Sequence, residues 1–231
     1  QSEDALAVLL RHADECGARA FAMGRDWDAY FERGRFVFQD NVGLLDLDPP
    51  RLPGAHQAEN AGLAVASLRA AGVALDQQVM SGGLAGATWP GRLQRLTRGP
   101  LINLAEKILG EAPEVWLDGG HNPHAGRAVA TAMADMEARA ARPLVLISGM
   151  QANKDAYRFF MNFADVAKRV HVVSADQEGA APTHDVAAAA QAAGLSASEH
   201  DNLQKAMRAA CGSGEPTPRI LICGSLYLAG E

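Results

Sequence analysis

The chain is poor in aromatic residues, in cysteine and in positive charge, and it has no long apolar run. Phe, Trp and Tyr make up 6% of its 231 residues. With Ala and Gly abundant, that scarcity suits helices packed closely on a sheet. The three cysteines, Cys16, Cys211 and Cys223, are odd in number and form no C-x-x-C pair. They argue against a disulfide scaffold and for a reduced, intracellular protein. A formal net charge of −6 argues against a non-specific nucleic-acid binder, so no nucleic-acid partner is expected. Nucleotide binding stays open, because it needs only local donors. No signal peptide and no apolar stretch of bilayer length occurs, so a cytoplasmic location without a membrane partner is expected. Neither a G-x-G-x-x-G run nor a G-x-S-x-G elbow is present, which weakens dehydrogenase and esterase readings.

What is present is a chain of two parts, with 48% apolar residues, enough for a real core. Residues 1–86 have a mixed pattern. A helix is expected over 4–15, with Leu6, Leu9, Leu10 and Ala13 on one face. Strand-like runs follow at Arg19–Met23, Arg35–Gln39 and Val42–Leu47, then prolines break the chain. A second helix is expected over about 55–71, with Ala58, Ala61, Val65, Leu68 and Gly72 on one face. His56 and Asn60, four residues apart, share another. The glycine-rich run Ser81–Gly86 reads as a linker, and the domain boundary is placed there.

Residues 87–231 have a regular rhythm. Short apolar runs at Glu114–Asp118, Leu144–Ser148, Val170–Ser174 and Ile220–Cys223 alternate with helical segments near 123–140, 155–164, 184–193 and 202–211. The pattern predicts an α/β domain with a mostly parallel, Rossmann-like sheet flanked by helices. Ligands of such sheets lie beyond the carboxyl ends of the strands, here Asp118, Gly149, Ser174 and Gly224-Ser225.

The most informative run is Trp116–Gly126. A strand ends at Asp118, two glycines permit a tight turn, Asn122 can cap the next helix, and Pro123 suits its first position. Ala125, Val129, Ala132, Met133, Met136 and Ala140 should form that helix's buried face. Asp118, His121 and Asn122 therefore sit at the ligand edge, where a helix start also favours an anion. A well-capped turn of any α/β protein would look similar. Asp118, His121 and His124 invite a metal reading, but no second cluster completes a site, and no metal ligand is assigned. Arg92, in Trp89-Pro90-Gly91-Arg92, is suited to reach a phosphate, or is an ordinary surface arginine. Gly149–Asp155 has the outline of a phosphate loop but lacks its second glycine and its hydroxyl residue. Lys154 is left unassigned.

Taken in order, Gly54–Ala61, Trp89–Arg92, Leu117–Pro123, Lys154-Asp155 and Gly224–Leu228 resemble the carboxyl-terminal half of the folylpolyglutamate synthase/dihydrofolate synthase family, within the Mur ligase superfamily. The one noted departure is Gly120, where alanine is usual. The resemblance implies residues 1–86 as the remnant of a central ATP-binding domain and 87–231 as the carboxyl-terminal ligase domain. It implies ATP-dependent joining of L-glutamate to dihydropteroate or a tetrahydrofolate through an acyl phosphate, with Mg2+, by a monomer, in a cleft between two domains. It further implies that Asn60 contacts the adenine base, Arg92 the phosphates and Asp118 the ribose or an orienting position, with His121 as a catalytic candidate. The family's phosphate loop, magnesium ligands and most of its folate site have no counterpart in this sequence. The 231 residues are therefore expected to be a fragment inactive alone. The competing readings are a nucleotide- or anion-binding module without catalysis, and a structural α/β domain, which would leave Asn60, Arg92 and Asp118 scattered.

Overall fold

The computed structural model describes residues 3–74, 76–174, 178–212 and 217–230. The chain divides into two compact units, one of residues 1–51 and 55–88, the other of 52–54 and 89–231.

The first unit contains α1 (Glu3–Glu15), a three-stranded antiparallel sheet of β1 (Trp27–Glu32), β2 (Arg35–Asp40) and β3 (Gly43–Leu47), then α2 (Gln57–Ala70) and α3 (Gln77–Gly86). Its core joins Trp27, Ala29, Phe36, Phe38 and Leu47 of the sheet to Ala58, Ala61, Val65 and Ala66 of α2. Gly62 lets the helix approach the sheet, since a Cβ there would fall 2.4 Å from that of Ala29 and 2.7 Å from the Trp27 ring. Leu68 and Gly72, expected on the same face as Ala58, are exposed.

Two expectations fail in this unit. Arg19–Met23 is not a strand: Asp26 accepts the Ala22 N–H at 2.7 Å and turns the chain, and the strand starts at Trp27. Ser81–Gly86 is not a linker but the second half of α3. Asp76 caps that helix by accepting the Val79 N–H at 2.7 Å, and Ser81 Oγ accepts the Asp48 N–H at 2.8 Å. Local capping outweighs the helix cost of three glycines, roughly 1 kcal/mol each relative to alanine.

The second unit is a six-stranded sheet with helices on both faces. Its elements are β4 (Gln94–Leu96), α4 (Pro100–Leu109), β5 (Glu114–Leu117), α5 (Pro123–Arg139), β6 (Leu144–Ser148), α6 (Ala156–Met161), β7 (Ala167–Val173), α7 (Thr183–Ala192), β8 (Ser196–His200), α8 (Leu203–Cys211) and β9 (Arg219–Cys223). The strand order is β4-β5-β9-β6-β7-β8, with β4 antiparallel and every other pairing parallel. The Rossmann-like, mostly parallel fold class is therefore observed. Central strands β6 and β9 are buried at every residue, as strands covered on both faces must be. One face packs on α5, α6 and α7 through Val129, Met133, Phe159, Phe160 and Val186, and the other on α4 and α8 through Ile102, Ala105, Ala206 and Met207.

Helix α4 and strand β8 were not expected. The helix is framed by Gly99 before Pro100 and by the left-handed Gly110 after Leu109. Strand β8, Ser-Ala-Ser-Glu-His, is polar because it is an edge. Beside it, His171 Nδ1 of β7 lies 2.9 Å from both Ser198 Oγ and His200 Nε2. No helix among the described residues is long and apolar enough to cross a membrane.

Candidate functional site

The carboxyl ends of β5 and β9 meet the turn that precedes β4, and backbone bonds lace these three loops together. The Asp118 N–H donates to Ile222 O at 2.9 Å, continuing the β5–β9 pairing. The Gly119 N–H donates to Gly91 O at 2.8 Å, and the Gly224 N–H to Gly120 O at 2.9 Å. Gly91 (φ +66°) and Gly224 (φ +100°) adopt the left-handed conformations these joins need. At Gly224 a Cβ would also lie 2.4 Å from Ser148 Oγ, so the position admits no side chain.

Asp118 is buried at the centre of this lacing. Its Oδ2 accepts the Leu93 N–H at 2.9 Å and its Oδ1 accepts the Gly120 N–H at 2.7 Å. The first bond supports an unusual backbone: Leu93 is buried with φ +40°, a conformation costly for a branched side chain. Its consequence is the sharp turn that carries Arg92. A Cβ at Gly120 would fall 2.8 Å from Asp118 Oδ1, so the carboxylate's close seat depends on this glycine.

Arg92 is half-buried and makes no ion pair among the described residues. Its hydrogen bond is a long one, 3.4 Å from Nη1 to the carbonyl of its own neighbour Gly91. The guanidinium thus keeps most of its donors for something else. His121 Nδ1 lies 2.9 Å from Gly119 O. A carbonyl only accepts, so Nδ1 carries a proton. Asn122 caps α5, accepting the Ala125 N–H at 2.9 Å, and Pro123 takes the first helical position.

Arg92, Asp118 and His121 are thus brought to one edge of one sheet. Asn60 belongs to the first unit. It is exposed on α2, and its Nδ2 donates to Gln57 Oε1 at 2.9 Å, while Gln57 Nε2 lies 3.0 Å from His56 Nε2. Lys154 is half-buried in the loop after β6, with its N–H donating to Gln151 O. Sequence reasoning did not single out Leu93 or Leu226, which lie against the site residues. Hydrophobic residues carry no chemical signature, and only the left-handed φ of one and the packing of the other reveal them. Among the described residues no group of three or more His, Cys, Asp or Glu side chains could hold a metal ion.

Comparison with known proteins places the fold. Residues 105–226, more than half of the chain, match the family described as Mur ligase, glutamate ligase domain. The chain belongs to the Mur ligase family. Within that family it corresponds to the carboxyl-terminal half of folylpolyglutamate synthases and dihydrofolate synthases. It is 27% identical over 240 residues to the folylpolyglutamate synthase of Lacticaseibacillus casei, covering 98% of this chain and 50% of that protein. It is 29% identical over 193 residues to a probable bifunctional folylpolyglutamate synthase/dihydropteroate synthase of Haloferax volcanii, covering 84% of this chain and 21% of that one. Among solved structures, the Mycobacterium tuberculosis folylpolyglutamate synthase complexed with ADP and AMPPCP superposes with a TM-score of 0.78 at 27% identity. That match covers 100% of this chain and 52% of the other. The chain therefore spans about half or less of the length of the relatives it matches.

Proposed function

We propose that this chain is the carboxyl-terminal half of an ATP-dependent amide ligase that adds L-glutamate to dihydropteroate or to a folate. The observation that carries the reading is an arginine without an ion pair, held next to a buried carboxylate and a histidine at the ligand edge of a Mur ligase sheet. The ADP and AMPPCP bound by the Mycobacterium tuberculosis relative support a nucleotide as the ligand.

In the proposed reaction the carboxylate of the pteroate or folate takes the γ-phosphoryl group of ATP, giving an acyl phosphate. The glutamate amine then attacks the acyl carbon, the amide forms and phosphate leaves. Such chemistry asks the protein mainly to position reactants and offset developing charge. Arg92 is assigned to the phosphates, since a guanidinium offers planar, paired donors to phosphate oxygens. Asp118 is assigned an orienting part: both its oxygens are committed to backbone N–H groups that hold the Arg92 and His121 turns. His121 Nε2 is assigned to substrate. Asn60, in the first unit, is proposed to contact the adenine base through its amide. Magnesium would offset charge on the ATP phosphates in this chemistry, and the described residues form no group of three or more His, Cys, Asp or Glu side chains to hold it.

The test is ADP formation from ATP, L-glutamate and dihydropteroate or a folate. The chain joined to its upstream half should form ADP only when all three substrates are present, and Arg92→Ala should reduce it roughly a hundredfold. The 231 residues alone should form none. Turnover by the 231 residues alone, or an Arg92→Ala variant as active as the parent, would overturn the reading.

A further inference from the structure

We propose that Leu226 is the positioning residue of Arg92, a wall that keeps the guanidinium aimed at the phosphates. The inference rests on the reading of Arg92 given above and adds a residue to it.

Arg92 is poorly anchored by polar contacts. It has no ion pair among the described residues, and its 3.4 Å hydrogen bond to an adjacent carbonyl leaves the long side chain free to swing. Yet its Nη1 and the Cδ2 of Leu226 converge on one point. A Cβ added at Gly119 would lie 2.2 Å from Leu226 Cδ2, 2.9 Å from its Cγ and 3.4 Å from Arg92 Nη1. Gly119 has no side chain, and the two neighbours share the slot this leaves. It is the guanidinium end of Arg92, at Nη1, that Leu226 flanks across the glycine.

The position of Leu226 is itself fixed. The Gly224 N–H donates to Gly120 O at 2.9 Å, and buried Ser225 accepts the Tyr227 N–H at 3.1 Å. Leu226 thus rides on a loop bonded to the Asp118–His121 turn. It is not a core residue: it is 47% exposed, whereas Leu228, two residues on, is 2% exposed and packs under the sheet. A half-exposed leucine pressed onto a glycine next to an unpaired arginine is explained by what it does to that arginine.

The experiment uses the chain joined to its upstream half and measures KM for ATP and kcat in a double-mutant cycle. Leu226→Ala should raise KM for ATP about tenfold with kcat within about twofold, and Leu226→Met, close in volume, should restore it. In an Arg92→Ala background, Leu226→Ala should have no further effect on KM. An unchanged KM in Leu226→Ala, or the same loss with and without Arg92, overturns the proposal while leaving the Arg92 assignment intact. An Arg92→Ala variant with an unchanged KM for ATP removes both.

Discussion

The two ends of the second unit's sheet use arginine in opposite ways. At the amino ends of the strands, Arg219 is buried and saturated. It donates to Glu114 at 2.6 and 3.3 Å, to Glu137 at 3.4 Å and to the Ala140 carbonyl at 3.0 Å. Arg95 and Arg142 complete the group around Glu114 at 3.6 and 3.5 Å. Burial alone would raise the Glu114 carboxyl, but hydrogen bonds from Arg219 and Trp116 and the charges of Arg219 and Arg95 hold it below the usual carboxylate range. At the carboxyl ends, Arg92 has no carboxylate partner among the described residues, and Asp118 binds backbone N–H groups instead. The closed charge network serves the fold, whereas the arginine with open donors beside a rigid turn is the one proposed to serve a ligand.

The comparison breaks most visibly if the saturated end is cut. Arg219→Ala removes a buried side chain, the nearest partner of Glu114 and one donor of part-exposed Glu137, and should cost about 3–5 kcal/mol of stability in denaturant unfolding. Nucleotide affinity of the molecules that remain folded should not change. Loss of affinity equal to that of an Arg92 variant would show that the two ends are not separate in function.

Acid should next distinguish the flank of the sheet from both ends. His171 is buried, and burial, then the charges of His200 and Arg169, pull its pKa down from 6.5 to about 4. The folded state thus binds fewer protons than the unfolded state in that window. The contribution of neutral His171 is complete above about pH 6.5 and is lost as pH falls towards 4, by roughly 3 kcal/mol at most. Glu114, with its pKa lowered, adds a loss that begins in the ordinary carboxylate range and continues below it. Unfolding measured against pH should show a steeper upper slope in the parent than in His171→Leu, where only His200, also lowered by burial, remains of the pair.

At the ligand end, Asp118→Asn replaces an acceptor oxygen by a donor facing a backbone N–H, of either Leu93 or Gly120. It should cost about 1–3 kcal/mol, a smaller loss than Arg219→Ala, and should weaken nucleotide binding because the Arg92 turn relaxes. Arg92→Ala should be the gentlest for the fold, within about 0.5 kcal/mol, since the side chain makes no ion pair there among the described residues. A larger loss in chemical unfolding would mean that Arg92 is structural.

This contrast was only half legible in the sequence. Asp118, His121 and the Asn122–Pro123 cap could be read because a strand end, two glycines and a capping pair dictate their local geometry within a few residues. The parallel sheet could be read from apolar runs alternating with helical ones. Strand β8 could not, because an edge strand of Ser, Ala, Glu and His has no apolar pattern, and α4 lay between glycines that resemble loop signals. Ser81–Gly86 misled for the same reason: the deciding bonds are a cap five residues before it and a hydroxyl contact with Asp48, far away in sequence. The saturated end was invisible, since Glu114 and Arg219 are 105 residues apart. Nor does the spacing of Arg92 and Leu226, distant in the chain, announce that both lie against Gly119.

The central claim is that the open arginine at the carboxyl edge meets a nucleotide. Calorimetric titration of ATP into the chain joined to its upstream half, with and without Arg92→Ala, tests it most directly. The account predicts affinity at least tenfold weaker in the variant, about 1.4 kcal/mol or more, with the unfolding transition unmoved. Equal affinity in the two proteins would contradict it.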